Sequence, residues 1–214
     1  AGSNFGDSVC PAGDVKGDGS AAVLIGALYY ANGQHQEGAA FVYLGSATGL
    51  SGTPGWSADG GQAGAVFGTS AGAAGDVNGD GYTDLVVGAP YFDSGLADAG
   101  AALVYYGSPA GPAAVPDWSA TGNQAGAHLG FSVGVAGDVN GDGLADVIIG
   151  APGYDGSGAD AGRAFVYHGS ALGLAQAADW TADGAAPGAA FGRAVGTAGD
   201  VNGDGYADVV VGSP

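Results

Sequence analysis

Asp138-Val139-Asn140-Gly141-Asp142-Gly143-Leu144-Ala145-Asp146 decides the architecture, because the pattern D-x-N-G-D-G-x-x-D stands again at 76–84 and 200–208. An altered copy, Asp14-Val15-Lys16-Gly17-Asp18-Gly19, opens the series. Each copy lies 62 residues from the next, with no insertion or deletion. Other residues keep the same phase: Trp56, Trp118 and Trp180; the Gly-Ser pairs at Gly45, Gly107 and Gly169; and Phe5-Gly6, Phe67-Gly68 and Phe191-Gly192, with Leu129-Gly130 in the remaining copy. Self-similarity at a fixed period of this length is the mark of a repeat architecture. The chain divides into repeats at about 1–62, 63–124 and 125–186, followed by a half-repeat at 187–214.

Within one period the strand signals are short. Strand A is expected around Phe131–Ala136, running into the acidic loop, and strand B at Asp146–Gly150, stopped by Ala151-Pro152. Its unbroken β-branched run predicts burial on both faces. Strand C follows at Arg163–His168 and strand D around Asp179–Ala182. Four strands joined by turns make one small antiparallel sheet, which buries its faces only by stacking on its neighbours. The fold class read from this pattern is all-β.

Composition agrees with that reading. Glycine supplies 47 of 214 residues, yet no G-X-Y period exists and 46% of the chain is hydrophobic, so the glycines punctuate a core-forming chain. Twenty-one acidic residues face three basic ones (Lys16, Arg163 and Arg193), for a net charge of −18. Such a surface repels a phosphate backbone and an anionic bilayer, which excludes nucleic acid as a partner, and bound cations would relieve the self-repulsion. No apolar run reaches the ~20 residues of a membrane helix, so no membrane insertion is expected. Cys10 is the single cysteine and forms no intrachain disulfide. With no Met at residue 1 and no signal peptide, the sequence reads as a processed secreted chain or a piece of a longer one.

The acidic loop matches the first half of an EF-hand loop, where oxygen ligands come from positions 1, 3 and 5 and a backbone carbonyl at 7. Here an Asp at position 9 leads directly into a strand. The ligands expected in the second copy are Asp76, Asn78, Asp80, the Tyr82 carbonyl and Asp84. Those of the third are Asp138, Asn140, Asp142, the Leu144 carbonyl and Asp146. Those of the fourth are Asp200, Asn202, Asp204, the Tyr206 carbonyl and Asp208. Three carboxylates in nine residues repel one another without a cation, and a flexible all-oxygen loop suits calcium better than magnesium. Tight Asn-Gly and Asp-Gly turns account for the glycines but not for the carboxylates. About three structural calcium ions per chain are expected. The first loop is degenerate: Asp14 and Asp18 remain, Lys16 replaces the Asn and Ala22 the final Asp. Its Lys16 ammonium is expected to occupy part of the cation position and pair with Asp14 or Asp18.

Phe-Gly before the loop, D-x-N-G-D-G within it and Gly-Ala-Pro after it (Gly88-Ala89-Pro90, Gly150-Ala151-Pro152, and Gly212-Ser213-Pro214) resemble the FG-GAP repeat of integrin α-chain propellers. Residues 26–28 have only Gly-Ala-Leu. The resemblance implies a β-propeller of four-stranded blades, here about three and a half, with structural calcium in the hairpin between the first two strands and partners bound elsewhere. It implies an extracellular or cell-surface, non-catalytic adhesion or protein-interaction module. A carbohydrate-binding propeller and an accessory domain of a larger secreted enzyme are the alternatives. Trp56, Trp118 and Trp180 are candidate sugar-stacking groups for the lectin reading, although packing between blades also explains them. Three and a half blades leave open edges. Either the segment belongs to a longer propeller, or copies associate, as in a homodimer that completes the ring; the partner itself, protein or glycan, is unknown. His35, His128 and His168 fall at three different phases, unlike a shared catalytic site, and Asp98 and Asp160 (with Gln36 in the first copy) read as turn residues.

Overall fold

A computed structural model describes residues 2–214 and contains strands, turns and no helix. The first sheet is formed by β1 (Phe5–Gly13), β2 (Ala22–Ala27), β3 (Ala39–Tyr43) and β4 (Trp56–Asp59). The second has β5 (Ala71–Gly75), β6 (Asp84–Ala89), β7 (Ala101–Tyr105) and β8 (Trp118–Thr121). The third has β9 (Ser132–Gly137), β10 (Asp146–Ala151), β11 (Arg163–Tyr167) and β12 (Trp180–Asp183). A last pair, β13 (Ala194–Gly199) and β14 (Asp208–Gly212), stands as a two-stranded sheet. Each sheet is an antiparallel meander in sequence order, so the chain is a partial propeller of three blades and the first half of a fourth.

The strand expected to be buried on both faces is so in β6 and β10, where every residue is buried. In β2 and β14, at the two open ends of the stack, burial is incomplete. Each A strand ends in an irregularity at Gly13, Gly75, Gly137 and Gly199, each with positive φ. The extra residue is the one before each glycine, Ala12, Ala74, Ala136 or Ala198, and it bends the strand as it enters the loop.

Blades join through backbone. The residue before each FG-type glycine forms a parallel bridge to the preceding blade: Gly38 to Phe67, Gly100 to Leu129 and Gly162 to Phe191. The strand-B glycine of one blade meets the glycine of the next so closely that a Cβ on Gly26, Gly88 or Gly150 would lie 2.1, 1.9 and 1.9 Å from the Gly68, Gly130 and Gly192 carbonyl oxygens. This contact explains the two glycines of the repeat physically. It survives in the first copy, where Leu28 replaces the proline but Gly26 is kept. Ser8, Ser70 and Ser132 add hydroxyl acceptors for the amides of Ala71, Val133 and Val195 across the same junctions. Farther out, Trp56 packs edge-on against Tyr105 and Trp118 against Tyr167, both at 4.9 Å between centroids. The apolar core therefore lies between blades.

Candidate metal loops

Each acidic loop is the connection between strands A and B of one blade, and its first Asp organises it. Asp76 Oδ1 accepts from the amides of Gly79 (2.7 Å) and Asp80 (3.1 Å), and its Oδ2 from Gly81 (2.8 Å). Asn78 Oδ1 accepts from the Asp80 amide, and Asp80 Oδ1 from the Tyr82 amide. The same frame recurs around Asp138 and Asp200. Backbone N–H groups converging on a carboxylate hold Asp200 below the usual carboxylate range.

The ninth residue has a separate task. Asp84 is fully buried; its Oδ2 accepts from the Val77 amide at 2.9 Å and its Oδ1 from the Gly107 amide at 2.8 Å. Asp146 repeats this with Val139 and Gly169. Each thus ties the loop to the end of strand C. Burial pushes the Asp84 carboxyl up to about 7, and the Asp80 and Asp76 carboxylates add to the rise, against the pull of the two amides. Burial likewise raises Asp146. Asp208 in the half-blade accepts only the Val201 amide, at 2.9 Å.

The structure brings every expected ligand of a copy into one nine-residue loop, with the carboxylates turned toward amides. Among the described residues they are not drawn into a cluster of three or more acidic, His or Cys groups. The donor set nevertheless fits a hard divalent cation. It is all oxygen, and the Tyr82, Leu144 and Tyr206 carbonyls accept no backbone hydrogen bond.

The first loop corrects one expectation. Asp14 accepts from the amides of Lys16, Asp18 and Gly19, so the loop closes in the same way. Lys16, however, makes no ion pair with Asp14 or Asp18; the ion pair among the described residues is Arg163–Asp183. Its stem runs instead toward Gly111 of the next blade. The amides of Lys16, Asp18 and Gly19 already satisfy the Asp14 carboxylate.

A second correction concerns the indoles. Trp56 and Trp118 are 9% and 4% exposed, and their Nε1–H groups donate to the carbonyls of Ala113 and Ala175 in the next blade. Neither presents a face to a sugar ring. Trp180 is 43% exposed because it flanks the two-stranded half-blade, at the same position in its own sheet as the other two. The histidines converge on no common site: His128 lies tilted against the Tyr91 ring, and His168 lies beside Asp179. Gln36, Asp98 and Asp160 all have left-handed φ, as turn residues do. Cys10 is a half-buried thiol whose ionisation burial disfavours.

Sequence reasoning missed Glu37, the sole glutamate. It is buried and accepts from the amides of Asn32 and Gln34, doing for the first blade what Asp93 and Asp155 do by accepting from Asp98 and Asp160. The signal was there: Ala31 stands where the later copies have Asp93 and Asp155.

Comparison with known proteins agrees with this geometry. The FG-GAP repeat family matches residues 67–105, 129–167 and 191–214. Rat integrin alpha-7 is 39% identical over 99 residues, 46% of this chain and 8% of that protein. Human integrin alpha-7 is 34% identical over 143 residues (66% and 12%). Integrin alpha-5 of Xenopus laevis is 31% identical over 182 residues (81% and 17%). The chain thus spans less than a fifth of the length of these relatives. Among the described residues no helix is long and apolar enough to cross a membrane.

Proposed function

Because this chain is an array of FG-GAP repeats similar to those of integrin α chains, we propose that it is a calcium-stabilised, non-catalytic propeller segment serving as an extracellular adhesion or protein-interaction module. The observation that carries this reading is the threefold recurrence of one oxygen donor set on one hydrogen-bond frame, at the same place in three blades. A reagent metal needs an open coordination position beside a substrate cleft. These loops instead close a hairpin and, through Asp84 and Asp146, anchor it to the neighbouring strand. Calcium supplies charge neutralisation there. The chain's own residues do the rest: Asp76, Asp138 and Asp200 shape the loop, and Asn78, Asp80, Asp84 and their counterparts complete the oxygen shell. About three ions per chain follow, because the first loop lacks the Asn and the final Asp.

Calorimetric titration of chelator-treated chain with calcium should show about three sites, and each site filled at ~100 times its Kd adds about 2.7 kcal/mol of stability. Absence of calcium binding would refute the metal reading. The adhesion reading is tested by coating a surface with the chain: cells should attach in calcium and detach in chelator. A coated surface that holds no cells in calcium would sink it.

A further inference from the structure

Internal repetition makes each blade junction a control for the next, and the two junctions between four-stranded blades differ at one place. Between β1–β4 and β5–β8, Phe67 is fully buried and sets its ring edge-on against Tyr105, at 6.5 Å between centroids. The cavity left there is about 140 Å³, lined by Phe67 and Phe92 but not by Tyr105. One period on, between β5–β8 and β9–β12, Leu129 stands in the place of Phe67. Tyr167 keeps its edge-on contact with Trp118 but has no second ring beside it, and it lines a cavity of about 190 Å³ with Leu129, Ala151, Tyr154 and Phe165. Further changes fall on the same spot. Tyr154 and Phe165 replace Phe92 and Leu103 in the walls, and at the exposed mouth Thr121 and Asn123 replace Asp59 and Gly61. All the walls come from the second and third blades and their loops, both of them four-stranded.

Tyr167 supplies the polar feature. It is 6% exposed, and its hydroxyl has no hydrogen-bond partner in the chain, yet among the described residues no sealed side-chain oxygen lacks one. The oxygen therefore opens into accessible space, which the cavity provides. Burial pushes its pKa up to about 12, so it stays a protonated donor. An apolar cavity of about 150 Å³ is enough to admit benzene. With a free hydroxyl in the wall, a phenol fits better than a hydrocarbon, which would leave that group unpartnered. No Lys or Arg lines the cavity and the chain carries a net −18, so a neutral ligand is selected over a carboxylate.

We propose that this cavity binds a free, neutral, monocyclic phenol, its ring seated where the preceding junction has that of Phe67 and its hydroxyl hydrogen-bonded to that of Tyr167. The volume suits one ring with a small substituent, being below the ~300 Å³ at which drug-sized sites begin. The site stands apart from the adhesion and calcium readings.

The test titrates p-cresol into the calcium-loaded chain and follows the NMR shifts of the Ala127 and Ala151 methyl groups, which line the cavity. A Kd of about 0.1 to 1 mM is expected for so small a ligand. Toluene, the same molecule without the hydroxyl, should bind about fivefold more weakly, and 4-hydroxybenzoate should not bind. Leu129→Phe installs the residue that the repeat itself carries at 67 and 191, so the variant should fold, and p-cresol should no longer shift the two methyl groups. Tyr167→Phe should bring p-cresol down to the affinity of toluene and leave toluene unchanged. Absence of shifts at about 10 mM p-cresol, or binding that persists in Leu129→Phe, overturns the site. Equal affinities for p-cresol and toluene overturn the phenol assignment. If N-acetyltyrosinamide binds as tightly as p-cresol, the cavity belongs to a tyrosine side chain of a peptide, and the free ligand is overturned.

Discussion

Replacing Gly88 by Ala adds one methyl group at the tightest point of a blade junction. Its Cβ would lie 1.9 Å from the Gly130 carbonyl oxygen and 2.9 Å from the carbonyl carbon, all backbone atoms, so no side chain can rotate away. Since a Cβ does not approach such atoms within 3.0 Å, the blades must part by about 1 Å or more. That movement loosens the neighbouring inter-blade bonds from the Leu129 amide to the Ala99 carbonyl (3.0 Å) and from the Val133 amide to Ser70 Oγ (3.1 Å). Overpacking costs about 1 to 3 kcal/mol and each weakened hydrogen bond about 1 more, so a loss of roughly 3 to 5 kcal/mol is expected. For a chain of this size that lowers the melting temperature by roughly 6 to 20 °C. Gly72→Ala is the control: it lies on strand A of the same blade, and its Cβ would meet nothing nearer than 3.7 Å. The control should shift stability by less than about 1 kcal/mol, because strand glycines gain from a Cβ wherever space exists. Urea melts of both variants decide the matter. Equal midpoints would refute the claim that backbone contact between these glycines sets the junction.

Three further outcomes follow from the loops and turns. The Asp84 carboxyl, raised from 3.8 to about 7 in the fold, binds its proton more tightly folded than unfolded. Its contribution is therefore complete below pH 3.8 and is lost as the pH rises through about 7, so chelated chain should melt higher at pH 5 than at pH 8; calcium should flatten that slope, and Asp84→Asn should reduce it in chelator. Asp84→Asn exchanges an acceptor of two backbone amides for a side chain that accepts only one, costing about 2 kcal/mol, whereas Asp208→Asn, with one bond at stake, should cost about 1 kcal/mol or less in chelator melts. Val66 holds a β-branched side chain at φ 54°, where the third copy has His128; Val66→Asn should raise stability by about 1 kcal/mol, and a neutral or destabilising result in urea would count against strain at that turn.

Much of this was legible because the repeat has no insertions. Strand A, expected around Phe131–Ala136, is β9 at Ser132–Gly137, and strand B, expected at Asp146–Gly150, is β10 at Asp146–Ala151. The half-blade at the end follows from the same counting. What stayed hidden depends on neighbours distant in sequence. The indole of Trp56 is satisfied by Ala113, 57 positions away in another blade, and no local pattern announces such a bond. Lys16 stays out of an ion pair with Asp14 because the amides of Asp18 and Gly19 already satisfy that carboxylate, a competition that the spacing of charges along the chain does not reveal. Glu37 was overlooked because it reaches back to a turn that its counterparts serve from a different position.

The blade junctions also have a shape. Along the A strands the facing residues are small, with Gly72 close to the Gly134 backbone, while farther out a whole tryptophan and tyrosine stand between the same two sheets. Each junction is therefore a wedge, thin at glycine and thick at the indole. The angle through which one blade turns from the next is a matter of side-chain volume along that taper. Trimming Trp56 or Trp118 would flatten the arc, and a Cβ at Gly88, where the Gly130 carbonyl oxygen lies 1.9 Å away, would open it from within. The curvature of the array, and with it the number of blades that can meet in a circle, is set where aromatic bulk opposes bare backbone.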